Sequence, residues 1–158
     1  MTPPTAVLTP PAGASPIALP LHHQAIRPSH SPASLWALRE QINARAEERR
    51  SGPLAVVLYA LTGPHGDPTE HLDLTRQVAD RKHAQVHAVF SDTSGDLDPA
   101  LRPGWADVLR TLAHREAQAV VCVSRTAVSS HNTLYQQQLQ RLGDHHTALY
   151  LFRHETAL

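Results

Sequence analysis

From residue 54 onward the chain alternates short apolar segments with longer amphipathic ones, and this alternation restricts the fold more than any other feature. Leu54–Ala60, Gln85–Phe90, Ala119–Ser124 and Thr147–Phe152 are short, apolar and largely β-branched, as strands buried on both faces are. Helical patterns separate them. Asp67-Pro68-Thr69-Glu70 sets an N-cap acid before a proline at the first helical position and a glutamate at the third, a start signal for a helix. Its apolar pattern is weaker, because Leu74 and Val78 lie on a different face from Leu72 and Ala79. Trp105, Val108, Leu109, Leu112 and Ala113 recur at i, i+3, i+4, i+7 and i+8, one stripe turned toward a core. Tyr135, Leu139 and Leu142 share one side of a helix from about Ser130 to Leu142, which Gly143 closes. Four strands alternating with three helices predict an α/β, Rossmann-like three-layer sandwich with a mainly parallel four-stranded sheet over residues 53–158.

The residues before it differ. Residues 1–32 hold 8 of the 13 prolines and one charged side chain, Arg27. Closely spaced prolines remove backbone donors, and the apolar content does not offset the entropy of ordering the segment, so it reads as a disordered or polyproline-like tail. Residues 33–52 read as an amphipathic helix and linker, with Ser31 or Ser34 as cap. Leu35, Leu38 and Ile42 form its apolar side, Arg49 and Arg50 lie in its last turn, and Ser51-Gly52-Pro53 ends it. The apolar side suits docking on the domain, on a protein partner or on a second copy of the chain, and sequence does not choose.

Composition excludes several classes. With 14 basic and 14 acidic side chains, the chain is not a broadly basic nucleic-acid binder or a ligand for anionic membranes. Its one cysteine, Cys122, rules out an internal disulfide or a multi-cysteine zinc site and reads as a packed thiol in an apolar strand. The longest apolar run, Leu54 to Leu61, is too short to span a bilayer. The N-terminus lacks a basic region followed by an apolar stretch, so a cytoplasmic location is expected. Twelve histidines fall mostly in loops or at helix ends. His83 and His87 are four apart, but the helix stops between them and no His-Glu-x-x-His motif occurs, so no metal or other cofactor is expected. Trp36 and Trp105 are expected to anchor the core.

In a parallel sheet the ligand crevice lies at the carboxyl ends of the strands, which directs attention to the loops Leu61–Asp67, Ser91–Arg102 and Ser124–Ser130. None carries a GxGxxG or P-loop pattern. A hydroxyl nucleophile at Thr62 or Ser124 with His65 as base has the right chemistry, but no spacing rule supports it. Arg102 and Arg125 are candidate phosphate contacts, or alternatively ion-pair partners of Asp92 or Asp96. Asp92, Ser94 and Gly95 read as residues that shape their loop.

Taken in order, these loops resemble the N-terminal catalytic domain of the serine recombinases, the resolvase/invertase family. The resemblance rests on Tyr59-Ala60 ending the first strand, Asp92-x-Ser94-Gly95 after the second, Arg102-Pro103-Gly104 opening a helix, and Val-x-x-Arg125 after the third. It covers residues 54–152. It implies DNA recombination chemistry, in which a serine attacks a phosphodiester and several arginines stabilise the phosphoryl oxygens. The chain departs from the family pattern where that chemistry resides. Tyr-x-Arg-x-Ser is replaced by Tyr59-Ala60-Leu61-Thr62-Gly63, so the arginine position is Leu61 and the nucleophile position is Gly63, with Thr62 one residue early. The glutamine of the first helix corresponds to Thr75. The Asp-Arg-x-x-Arg motif corresponds to Ser124-Arg125-Thr126-Ala127-Val128, leaving Arg102 and Arg125 of the arginine set. The family's further strand, long dimerisation helix and DNA-binding module have no counterpart in these residues.

The expectation is a degenerate recombinase domain that does not cleave DNA and associates with it weakly through Arg102 and Arg125. The alternative is a non-catalytic α/β scaffold that presents residues 34–50 to a protein partner. An active phosphoryl-transfer enzyme is a third reading, resting on fold analogy alone.

Overall fold

The computed structural model describes residues 30–157. Most of the proline-rich segment lies outside them. The elements run α1 (Pro32–Arg49), β1 (Ala55–Leu61), α2 (Thr69–Arg81), β2 (Gln85–Asp92), α3 (Pro103–Ala113), β3 (Ala119–Cys122), α4 (Asn132–Asp144) and β4 (Ala148–Leu151). Short 3-10 turns at Pro99–Leu101 and Arg125–Ala127 precede α3 and follow β3. The sheet order is β2-β1-β3-β4, and every pairing is parallel.

The sheet separates two apolar clusters. Val57, Tyr59, Val120, Cys122 and Leu149 face Trp105, Val108 and Leu112 of α3, Tyr135, Leu139 and Leu142 of α4, and Leu35 and Ile42 of α1. Val56, Leu58, Val121 and Tyr150 face Val78 and Ala79 of α2, with Ala46 of α1 beside them. The alternation of Cβ direction along each strand sorts these residues, and the result is a three-layer α/β sandwich. Burial pushes the Cys122 thiol far above its ordinary value, which leaves it a packing group rather than a nucleophile. Trp105 is fully buried, but Trp36 is 43% exposed, on the outer side of α1. Its expected role as a core anchor is therefore corrected: the stripe 35–39–42–43–46 faces inward and residue 36 does not.

Helix α1 docks on the domain. Ser31 caps it, accepting from the Ser34 N–H at 3.1 Å, with Pro32 in the first turn. It lies along the outer edge of β4, where it supplies partners to the edge strand and closes a buried ion pair between Arg39 and Glu155.

Candidate functional site

The chain leaves β1 toward β2 on one side, and β3 lies on the other, so the carboxyl ends of β1 and β3 flank a switch-point crevice. A cavity of about 210 Å³ opens there, lined by Leu61, Glu70, His71, Ser124, Thr126 and Arg153 among others. Glu70 and His71 belong to the first turns of α2, and Arg153 follows β4, its N–H bonded to the Val123 carbonyl at 2.7 Å. Sequence reasoning missed these three residues. The available signal was positional: each lies just beyond a strand's carboxyl end or at the helix start facing it.

Asp92, the last residue of β2, organises the adjoining wall. Its carboxylate accepts from the Tyr59 hydroxyl at 2.8 Å, the Gly104 N–H at 2.8 Å and the Trp105 N–H at 2.9 Å. It thus caps the start of α3, where unpaired N–H groups and the positive end of the helix dipole favour an anion. Gly104 makes the approach feasible, since a Cβ there would lie 2.6 Å from the Ser91 carbonyl and 2.7 Å from Asp92 Oδ2. The Tyr59 ring packs edge-on against Trp105, with centroids 5.1 Å apart. Burial, followed by the bond to Asp92, pushes the Tyr59 hydroxyl far above its ordinary range, so it stays a proton donor to the carboxylate. The β1 and β2 loops are laced together by Thr62 N–H to Asp92 C=O and by Gly95 N–H to Thr62 C=O, both 2.9 Å. Gly95 adopts φ +63°, and Ser94 Oγ bonds the Gly95 carbonyl.

The two arginines singled out from sequence serve these loops. Arg102 is fully buried; its Nε donates to the Leu97 carbonyl at 2.7 Å and its Nη1 to the Ala127 carbonyl at 2.9 Å. Its Nη2 lies 3.9 Å from Asp96 Oδ1. It therefore ties the β2–α3 loop to the turn after β3, and in this conformation a phosphate does not reach it. The ion-pair alternative holds for Asp96 only at long range, and Asp92 bonds elsewhere. Arg125 is half-buried over the Tyr135 ring and donates to Asn132 Oδ1 at 2.7 Å and to the carbonyls of Ser129 and Ser130. Asp96 accepts from the Ser130 hydroxyl, which holds its carboxyl below the usual range.

The reacting positions are sparse. Gly63 is exposed and has no side chain to offer. Thr62 Oγ1 reaches the Gly66 carbonyl at 3.5 Å, and Ser124 Oγ bonds Thr126 Oγ1 at 2.7 Å. Among the described residues no hydrogen bond joins His65 to either hydroxyl. Thr75 is fully buried and donates to the Leu72 carbonyl within its own helix, away from the crevice. Among the described residues no three His, Cys, Asp or Glu side chains gather as a metal site, and no helix is long and apolar enough to cross a membrane.

The parallel 2-1-3-4 sheet, its crevice and the wall of loops around it define a serine-recombinase-like catalytic-domain fold. The C-terminal catalytic domain of ISC1926 TnpA, an IS607-like serine recombinase, aligns at TM-score 0.57 and 14% identity, over 63% of this chain and 70% of that one. The N-terminal catalytic domain of TP901-1 integrase gives TM-score 0.54 and 13% identity, over 62% and 76% of the two chains. The first ORF in transposon ISC1904 from Sulfolobus solfataricus P2 gives TM-score 0.53 and 15% identity, over 65% and 70%. No protein-family model matches the sequence, and no curated protein matches it.

Proposed function

We propose that this chain is a recombinase-fold domain that does not cleave DNA and associates with it weakly, in the cytoplasm. The observation that carries the reading is the crevice itself. Where the fold's chemistry needs a serine and free arginines, this chain has Gly63, Leu61 and Val128, and Arg102 is fully buried with its Nε and Nη1 held by loop carbonyls, its Nη2 making no hydrogen bond among the described residues. A strand-transfer step needs a nucleophile and preorganised cations at the phosphoryl oxygens, and losing several together removes more than one factor of the rate. The cations that a phosphate at this edge would meet are Arg153, which is exposed, and Arg125, which is half-buried and would exchange a bond to Asn132 or to the Ser129 and Ser130 carbonyls for it. Two contacts of this kind give weak binding that falls as salt rises.

The test is fluorescence anisotropy with labelled duplex DNA at low and physiological salt, using wild type and the Arg125→Gln/Arg153→Gln variant. Salt-sensitive binding, reduced in the variant, supports the reading. Wild-type binding that the double variant retains in full counts against it. The second reading, a protein-binding scaffold, is favoured by Trp36, exposed on the outer face of α1. It predicts partner capture that Trp36→Ala abolishes while DNA binding is absent.

A further inference from the structure

A second cleft lies at the opposite end of the sheet, where α1, α3 and α4 end and β1, β3 and β4 begin. It has a volume of about 450 Å³, within the range of small-molecule sites. Arg49, Arg50, Arg115, His145 and His146 line it, and no carboxylate does. Among the described residues none of the three arginines is ion-paired with an acid. Of the acids nearest in sequence, Glu47 accepts from the Tyr150 hydroxyl and Glu116 pairs with His87, while Glu48 and Asp144, which precede Arg49 and His145, do not line the cleft.

Cations at helix C-termini ordinarily answer the helix dipole, and three helices end here. That accounts for only part of the charge. Each helix end contributes roughly half a negative charge, so three ends fall well short of offsetting three arginines. Several carbonyls of the last turns are moreover already bonded to backbone N–H groups, of Arg50, His114, Arg115, His145 and His146. Arg49 Nη1 lies 3.3 Å from His146 Nε2, which holds the two side chains together at one rim of the cleft. Arg115 and His146 occupy left-handed backbone, φ 58° and 56°, at the position after a helix where glycine is the unstrained choice. An arginine and a histidine stand there instead of glycine. Gln118 adds a donor: its Oε1 accepts from the Ala55 N–H, which leaves its amide NH₂ for a ligand.

We propose that this amino-edge cleft binds a small oligophosphate anion, of the size of a di- or triphosphate. A concave site ringed by arginines holds several phosphate groups at once, whereas a duplex backbone calls for an extended basic strip. The test is calorimetric titration of the full chain with inorganic tripolyphosphate at low salt. Wild type is expected to show saturable one-to-one binding. Arg115→Gly removes a cation while relieving the left-handed backbone, so it is expected to weaken binding by about tenfold or more with an unchanged or higher melting temperature. Arg49→Gln is expected to weaken binding similarly. The proposal is overturned by absence of saturable binding in the wild type, or by unaltered affinity in both variants. Displacement of tripolyphosphate by duplex DNA would also overturn it, assigning the cleft to nucleic acid instead.

Discussion

Asn43 and Leu149 exchange two hydrogen bonds, each 2.9 Å: the side-chain amide of Asn43 donates to the Leu149 carbonyl and its oxygen accepts from the Leu149 N–H. One helix side chain thereby stands in for a fifth strand at the edge of β4. An open edge exposes unpaired backbone groups to aggregation, and α1 covers this one. Asn43→Ala is expected to lower stability by about 1–3 kcal/mol, measured by urea denaturation. Arg39 Nη1 still reaches the Leu149 carbonyl at 3.2 Å, so the loss falls on the N–H. A change near zero would show that water replaces the amide without cost.

The neighbouring ion pair gives a pH dependence. Glu155 is buried, which by itself raises its carboxyl pKa, but bonds from Arg39 at 2.7 Å and from the Tyr135 hydroxyl at 2.5 Å outweigh burial and hold it below its ordinary 4.5. A carboxyl depressed in the folded state contributes stability that is fully present above its unfolded value and is lost as pH falls through the folded one. Stability is therefore expected to decline below about pH 4.5, and Glu155→Gln should flatten that acid limb while lowering stability at neutral pH by about 3–5 kcal/mol. An acid limb identical in the variant would remove Glu155 as its cause.

Much of this architecture was legible from sequence because it depends on local pattern. The four apolar segments fall on the four strands, and the stripes through Trp105 and Tyr135 mark helices that pack on the sheet, but β2, expected to be buried, is a largely exposed edge strand. The inward face of α1 was not legible in full. Leu35, Leu38 and Ile42 signal an apolar side, but Arg39 and Asn43 are buried on the same stripe because of Glu155 and Leu149, more than a hundred residues away. A polar residue on a core face carries no mark of a distant partner. The Arg102 position shows the same limit: spacing identifies the residue, while its role depends on which carbonyls the folded loops bring to it.

Arg102 is the clearest test of that distinction. Held by the Leu97 and Ala127 carbonyls in a fully buried site, it is expected to be structural, and Arg102→Ala should cost about 2–4 kcal/mol by chemical denaturation. Arg125→Gln, at a half-exposed position, should cost less. If Arg102→Ala left stability unchanged or raised it, the residue would be a stored functional charge rather than a loop tie.

Gly104 permits the cap that Asp92 places on α3. Gly104→Ala would push a methyl group to 2.6 Å from the Ser91 carbonyl and 2.7 Å from Asp92 Oδ2. The expected cost is about 1–3 kcal/mol, read as a lower melting temperature, although alanine is intrinsically the better helix former. Asp92→Ala, which strands Tyr59, Gly104 and Trp105 donors together, should cost at least as much. A gain in stability for Gly104→Ala would mean that the helix start shifts freely and the cap is dispensable.

In the proposed function, a recombinase-like fold meets DNA without cutting it. The most direct measurement is a titration of end-labelled duplex with the full chain, reading bound DNA by anisotropy and denaturant-resistant protein–DNA adduct in the same samples by gel. The expected result is weak binding, lost as salt rises, and no adduct at any protein concentration. A covalent adduct, mapped by mass spectrometry to Thr62 or Ser124, would contradict it and restore a working nucleophile to the crevice.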